Sequence, residues 1–347
     1  MPEWRRDPIL DRWVVVAPER SQRPSDFQVE RSPRKSGRCP FCPGNEANTP
    51  PEVLAYGPPE RTPDTPGWHV RVVPNKFPAI RDLPPDAGRR GPYRWMNGMG
   101  RHEIVIETPE HTADLDGQSP AQVAEVLRIW AERSRQLARD PRWRYVQVFK
   151  NVGHSGGASL EHSHSQIIAL PFVPARLQRE LAAFVRYRRD TGRCVLCEMV
   201  AWELADRQRL VYRHGGFVAF APFASRFPGE VWITPRPHTS DYTTLNAGDR
   251  LALAQTLLGA IQALVKTFDR PPYNLVLHTV PVGAREADAY HWRLEILPRL
   301  SITAGFELGT GCYINPLPPE VAAGWLRDQK AYGKEKTNDP EQTGQHY

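Results

Sequence analysis

The chain carries one order of chemistry-bearing residues twice. Its first half reads Cys39-x-x-Cys42, His111, His162, and its second half reads Cys194-x-x-Cys197, His238, His291. The two histidines stand 51 residues apart in the first half and 53 in the second, and each first histidine lies eight residues before a helix-capping residue, Ser119 or Asn246. The flanks rhyme as well: Asn75-Lys76-Phe77-Pro78 matches Ser225-Arg226-Phe227-Pro228, and Thr108-Pro109-Glu110-His111 matches Pro235-Arg236-Pro237-His238. A period of about 130–155 residues is too long for a solenoid repeat and implies duplication of a whole domain. The 347 residues suffice for two α+β domains of ordinary size. We expect boundaries at 1–190 and 191–332, with a disordered polar tail over 333–347.

Local patterns fill in the elements. Trp13-Val14-Val15-Val16, Val70–Val73, His102–Thr108, Arg144–Phe149 and Ser165–Leu170 read as strands in the first half. Residues 24–66 read as irregular. Ser119 caps a helix, Pro120 suits its first position and Gln122 completes a capping box, with Val123, Val126, Leu127, Trp130 and Leu137 on one face. Arg176–Arg188 reads as a basic helix closing the first half. In the second half, Phe217–Phe220, Glu230–Thr234, Asn274–Val280 and Trp292–Leu297 read as strands, and Ala247–Phe268 and Pro319–Tyr332 as helices.

Composition excludes several classes. Thirty-five prolines rule against a long-helix bundle. No apolar run approaches the ~20 residues of a membrane span, and the charged stretch Met1–Asp11 lacks a signal-peptide core. A cytoplasmic protein with no membrane partner is the expectation. The net charge of +6 is dispersed along the chain, which suits a phosphate-bearing small molecule; no nucleic-acid partner is expected.

Each half supplies two cysteines and two histidines, the thiolate–imidazole set that zinc takes in a closed tetrahedron. In a chain without a secretory signal, metal ligation is favoured over disulfides. We therefore expect two zinc sites: Cys39, Cys42, His111 and His162, then Cys194, Cys197, His238 and His291. Redox use of the pairs is disfavoured because neither is expected to open a thioredoxin-like helix. Cys312 is left as a core cysteine.

The run His162-Ser163-His164-Ser165-Gln166 is sharper still. On a strand, alternate side chains share a face, so His162, His164 and Gln166 point together. If His162 binds metal, His164 is pinned beside it as a neutral imidazole, a competent nucleophile towards phosphorus. Gln166 offers an amide to a phosphate oxygen, and the loop Gly153–Ser159, which includes Gly157, offers backbone N–H groups and the Ser159 hydroxyl. The second half reads His291-Trp292-Arg293-Leu294-Glu295 at the matching strand. Arginine stays protonated and cannot act as a nucleophile, so this half keeps its ligand and loses the chemistry. His69, His102, His214 and His346 carry no motif and read as structural or exposed. His278 reads as a histidine satisfied in the core or backing a residue of the site, and His154 lies in the phosphate-side loop, within reach of a substrate.

These residues resemble the histidine-triad superfamily and, within it, the galactose-1-phosphate uridylyltransferase family. The similarity runs from about Arg5 to Arg327. It rests on Asp11-Arg12-Trp13 with Arg20 and Arg23, Cys39-Pro40-Phe41-Cys42, Asn75-Lys76-Phe77, Phe149–Gln166, and Gly305-Phe306-Glu307 with Gly309-Thr310-Gly311. The resemblance implies a duplicated histidine-triad-like domain, two antiparallel-sheet halves with packed helices. It implies a ping-pong transfer in which His164 attacks the α-phosphorus of UDP-glucose, expels glucose 1-phosphate and passes the uridylyl group to galactose 1-phosphate. Gln166 and Ser159 would hold phosphoryl oxygens, Arg20 and Arg23 would face phosphates, and Asn75, Lys76 and Asn151 would line the nucleotide pocket. Glu307 would contact the hexose, and a homodimer would form. Two departures bear on this reading. Better-known members have Pro and Gly where this chain has Ser163 and Ser165, and many lack the second cysteine pair. The H-S-H-S-Q form resembles a branch with nucleotide-sugar phosphorylases acting on ADP- or UDP-glucose with inorganic phosphate. A histidine-triad hydrolase and a non-catalytic zinc module are the remaining alternatives.

Overall fold

The β-branched runs form strands, and the two halves join edge to edge in one antiparallel sheet. The computed structural model describes residues 1–22, 39–111 and 114–329. The first half contains β1 (Glu3–Arg6), β2 (Trp13–Val16), β3 (Leu54–Tyr56), β4 (Val70–Pro74), β5 (Ala87–Arg90), β6 (Tyr93–Met96), β7 (Arg101–Ile106), α1 (Pro120–Ala138), β8 (Tyr145–Val152), β9 (His164–Leu170) and α2 (Ala175–Thr191). The second contains α3 (Val195–Asp206), β10 (Leu210–His214), β11 (Phe217–Phe220), β12 (Val231–Pro235), α4 (Ala247–Thr267), β13 (Tyr273–His278), β14 (Arg293–Pro298), α5 (Gly305–Thr310), β15 (Tyr313–Asn315) and α6 (Pro319–Asp328). The polar tail 333–347 and the expected end of the last helix at Tyr332 lie outside the described residues.

The main sheet runs β10-β11-β12-β14-β13-β8-β9-β7-β4-β3. Read from its two outer edges inward, the halves match strand for strand: β3-β4-β7-β9-β8 against β10-β11-β12-β14-β13. They meet where β8 pairs antiparallel with β13, Asn151 opposite Asn274 and Val148 opposite Leu277. The duplication is therefore visible as a repeated strand order within a single sheet. A small second sheet, β1-β2-β15, ties the two ends of the described chain together through a parallel β2–β15 pairing.

One face of the sheet is covered by α1 and α4, which pack against each other. Their apolar faces bury Val123, Val126, Leu127 and Trp130 from α1 and Leu253, Leu257, Ile261 and Leu264 from α4. Tyr242 closes the seam by donating its hydroxyl to the Leu127 carbonyl at 2.6 Å. The capping expectation holds in part. Ser119 Oγ accepts from Gln122 N at 3.1 Å, but no capping box closes. The Gln122 amide instead donates to the carbonyls of His69 (2.9 Å) and Glu107 (2.6 Å), which ties the helix start to the strands beside it. Asn246 and Asp249 do form a full box at α4.

Three expectations change. The stretch read as irregular includes β3, a three-residue edge strand. α3 begins immediately after Cys194, which sits at its N-cap, so the second cysteine pair does open a helix. Cys312 lies half-buried between α5 and β15 rather than in the core.

Candidate functional site

β9 alternates as its sequence requires. Ser163 and Ser165 face the helix side, where Ser165 Oγ accepts from Trp130 Nε1 of α1 at 2.7 Å. His164 and Gln166 point to the opposite face, with His162 just ahead of the strand on the same side. His164 Nδ1–H donates to the His162 carbonyl at 2.8 Å. That bond fixes the tautomer and leaves the Nε2 lone pair as the free end of the ring. Burial, and after it the nearby Lys150 ammonium, holds the His164 pKa below the ordinary imidazole value. A neutral, oriented imidazole results, which is what a phosphorus nucleophile needs. The Phe41 ring, from between the first two cysteines, packs edge-on against His164 (centroids 5.4 Å) and His162 (6.1 Å).

Beneath His164 lies a charged cluster that sequence reasoning missed. Lys150 on β8 is 1% exposed and Glu107 is fully buried. Lys150 Nζ donates to Glu107 Oε2 at 2.7 Å, to Ser163 Oγ at 2.9 Å and to the His164 carbonyl at 3.2 Å. Ser163 Oγ in turn donates to Glu107 Oε2 at 2.7 Å. The Ser163 hydroxyl that departs from the better-known family pattern is thus a link in an ion pair. No local pattern announces this, because Lys150 and Glu107 are 43 residues apart and meet only through the sheet.

The glycine loop after β8 is tied down from both halves. Gly153 and Gly157 take φ of +74° and +85°, a region open to glycine at little cost. Asn151 Nδ2 donates to the Gly157 carbonyl at 3.4 Å. Asn274, from the second half, donates to Asn151 Oδ1 at 2.9 Å and to the Gly156 carbonyl at 2.6 Å. The N–H groups of Gly156, Gly157 and Ala158 are spent on turns within the loop. The exposed Ser159 side chain makes no hydrogen bond among the described residues.

Of the remaining sequence candidates, Asn75 reaches Gln166 through His102, while Arg20 lies in a 3-10 turn after β2. Lys76 is exposed and donates to the Asn48 carbonyl at 3.2 Å. The Glu307 carboxylate accepts from Ala304 N at 3.0 Å at the start of α5. No hydrogen bond joins Arg20, Lys76 or Glu307 to His164 or Gln166 among the described residues. Arg23 lies outside them.

Both Cys/His sets converge, the ligand atoms of each lying within 4.8 Å of one another. In the first, Cys39 and Cys42 Sγ stand 3.7 Å from His162 Nδ1, and Cys42 Sγ is 3.4 Å from His111 Nδ1. In the second, Cys197 Sγ is 3.3 Å from His291 Nδ1 and 3.4 Å from His238 Nδ1, and Cys194 Sγ is 3.9 Å from His291 Nδ1. Ligand bonds of ~2.0–2.3 Å place tetrahedral ligands about 3.3–3.8 Å apart, so both sets fit a four-coordinate ion. The far ring nitrogens fit as well: Nε2 of His162, His238 and His291 face the carbonyls of Thr108, Asp288 and Pro235 at 2.7, 2.8 and 3.0 Å, which turns Nδ1 towards the sulfurs.

The matching strand of the second half is covered by charged side chains. α2, read from sequence as closing the first half, lies over β14: its fully buried Glu180 accepts from Arg293 Nη1 at 2.7 Å and from Tyr290 Oη at 2.5 Å. Arg293 also bonds Glu295, and Glu295 accepts from Arg226 at 2.6 Å. His278 is buried here, and among the described residues its ring nitrogens make no hydrogen bond; they face the Glu295 and Glu180 carboxylates at 3.3 and 3.8 Å. An Arg-x-Glu strand needs buried carboxylates and arginines around it, and α2 and the Arg226–Glu230 turn supply them. Burial disfavours the Glu180 charge, but Arg293 and His278 outweigh it and bring the carboxyl to about 2. Its folded value thus lies below the ordinary 4.5. The stabilisation is present above that ordinary value and is lost as pH falls towards about 2. The urea midpoint is therefore expected to fall steeply on acidification below pH ~4.5, and less steeply in the Glu180→Gln/Arg293→Gln pair. Equal slopes in the two proteins would refute the assignment.

A duplicated α+β sheet with one H-x-H-x-Q strand beside a Cys/His cluster is the arrangement expected of a nucleotidyltransferase of the histidine-triad type. Comparison with known proteins agrees. The galactose-1-phosphate uridyl transferase N-terminal domain family matches residues 1–174, and a family of unknown function, DUF4921, matches residues 114–332. The chain is 39% identical to the ADP-glucose phosphorylase of Arabidopsis thaliana, covering 94% of this chain and 93% of that one. It is 30% identical to the galactose-1-phosphate uridylyltransferase of Thermotoga maritima, covering 94% and 98%. The solved structure of the Arabidopsis phosphorylase with bound ADP-glucose superposes with a TM-score of 0.80 at 36% identity, over 94% of this chain and 98% of that one. A uridylyltransferase structure gives 0.74 at 29%, over 95% and 98%. The chain belongs to the galactose-1-phosphate uridylyltransferase family. Among the described residues, no helix is long and apolar enough to cross a membrane.

Proposed function

We propose that the protein is a nucleotide-sugar phosphorylase that moves AMP from ADP-glucose to inorganic phosphate through a nucleotidyl-His164 intermediate. The observation that carries the transfer is the His164 ring, its Nδ1–H held by the His162 carbonyl at 2.8 Å and its Nε2 making no hydrogen bond among the described residues. In the first step Nε2 bonds to the α-phosphorus, and the P–O bond to glucose 1-phosphate breaks. In the second a phosphate oxygen bonds to that phosphorus, the N–P bond breaks, and ADP leaves. Gln166 and Ser159 donate to the phosphoryl oxygens as charge builds on them. Asn75 and Asn151 flank the nucleotide. Galactose 1-phosphate, the acceptor expected from sequence, yields to phosphate because the 39% relative is an ADP-glucose phosphorylase.

UDP-glucose with galactose 1-phosphate is the second reading, favoured by the family match over residues 1–174 and the 30% relative. The enzyme is tested with ADP-glucose or UDP-glucose, then with phosphate or galactose 1-phosphate. Rapid ADP formation from ADP-glucose and phosphate is the expected result; faster UDP-galactose formation overturns it in favour of the second reading.

The metal in each Cys/His set is zinc in this reading. Zinc there is structural, because four protein ligands leave no open position. Two equivalents are expected by metal analysis, falling to one in Cys39→Ser and to one in Cys194→Ser. An unchanged content in either variant would remove that site.

A further inference from the structure

Sequence reasoning set His102 aside as structural, and its surroundings assign it a part. It stands on β7 opposite Ile168 of β9, while Gln166 stands opposite Ile104, so His102 and Gln166 are diagonal neighbours on one sheet face. His102 Nε2 lies 2.8 Å from Gln166 Oε1. The other ring nitrogen, Nδ1, accepts from Ala79 N at 3.4 Å. A backbone N–H can only donate, so Nδ1 carries the lone pair and Nε2 carries the proton. Asn75 Nδ2 lies against the same ring, 3.5 Å from Nδ1 and 3.2 Å from Nε2, and Asn75 N donates to the His102 carbonyl at 2.8 Å.

A glutamine amide has one accepting end and one donating end. Only the donating end is useful against a phosphoryl oxygen; the accepting end would face it with lone pairs against lone pairs. We propose that His102 is a positioning residue for transfer: by donating Nε2–H to Gln166 Oε1 it turns the Gln166 NH2 towards the phosphoryl group, and it couples that amide to the Asn75–Ala79 nucleotide loop. This rests on the nucleotidyl-His164 reading. His102 touches no reacting atom and acts through Gln166, so its removal costs the transfer step more than it costs substrate binding.

The test is single-turnover formation of nucleotidyl-His164 from ADP-glucose and from UDP-glucose, followed by intact-protein mass and by release of glucose 1-phosphate. His102→Ala is expected to slow adduct formation roughly 10–100-fold, with the concentration dependence on nucleotide sugar changing less than about 3-fold. In a Gln166→Ala background the same substitution is expected to cost nothing further. Added imidazole should restore part of the rate to His102→Ala. His102→Gln, which keeps a side-chain donor, should retain most of it. The proposal falls if His102→Ala keeps the wild-type rate, or if it costs as much with Gln166 absent as present. It also falls if His102→Gln, with unchanged metal content and melting temperature, is as slow as His102→Ala. If the wild-type protein forms no adduct from either sugar nucleotide, the parent reading fails instead, and this proposal with it.

Discussion

His164→Ala is expected to lower nucleotide transfer by roughly 10⁴-fold or more while leaving both metal equivalents and the melting temperature in place. The reason lies in the division of labour along one strand. His162 turns Nδ1 to Cys39 and Cys42, and His164 turns Nδ1 away, to the His162 carbonyl. The metal set is complete without His164, so its loss removes the nucleophile and no ligand. His162→Ala should do the opposite first: the first metal is lost, and transfer fails because the carbonyl that orients His164 is no longer held. Metal analysis beside single-turnover adduct formation separates the two. Loss of metal in His164→Ala, or transfer at the wild-type rate, would contradict the assignment.

Lys150→Met is expected to destabilise the fold by about 3–5 kcal/mol, because it strands the Glu107 carboxylate without its cation in a site that excludes water. Among the described residues, Glu107 Oε2 would keep only the Ser163 hydroxyl, and Oε1 has no hydrogen-bond partner before the substitution either. Replacing both charges, Lys150→Met with Glu107→Leu, should recover most of the loss, since a buried ion pair can be exchanged for apolar side chains at little net cost. The recovery need not extend to activity, because Lys150 also holds the His164 carbonyl at 3.2 Å. Urea denaturation of the single and double variants measures the first effect and adduct formation the second. A loss below about 1 kcal/mol in Lys150→Met would mean that the pair is not buried as described.

Much of the site was legible because it is local. The H-x-H-x-Q strand, the cysteine pairs and the Ser119 and Asn246 caps each act within a few residues, and side-chain alternation or capping geometry follows directly from spacing. The failures were of two kinds. β3 and β15 are three-residue strands whose pairing partners decide them, not their own pattern. His102 and Asn274 lie outside every motif, and Lys150 sits within Phe149–Gln166 with no role of its own there; each gains its role from a residue 43 or more positions away.

The duplication, the membership of both Cys/His sets and the difference between His164 and Arg293 are written as residue types in a repeated order, so the chain alone carries them. Only the tertiary structure decided that the ten strands form one sheet, that α2 covers the Arg293 side, and that Asn274 of the second half steadies the glycine loop of the first. The reason is physical. Strand pairing and helix docking are settled by burying apolar area and matching buried charges over the whole molecule, and neither quantity belongs to any short stretch of the chain.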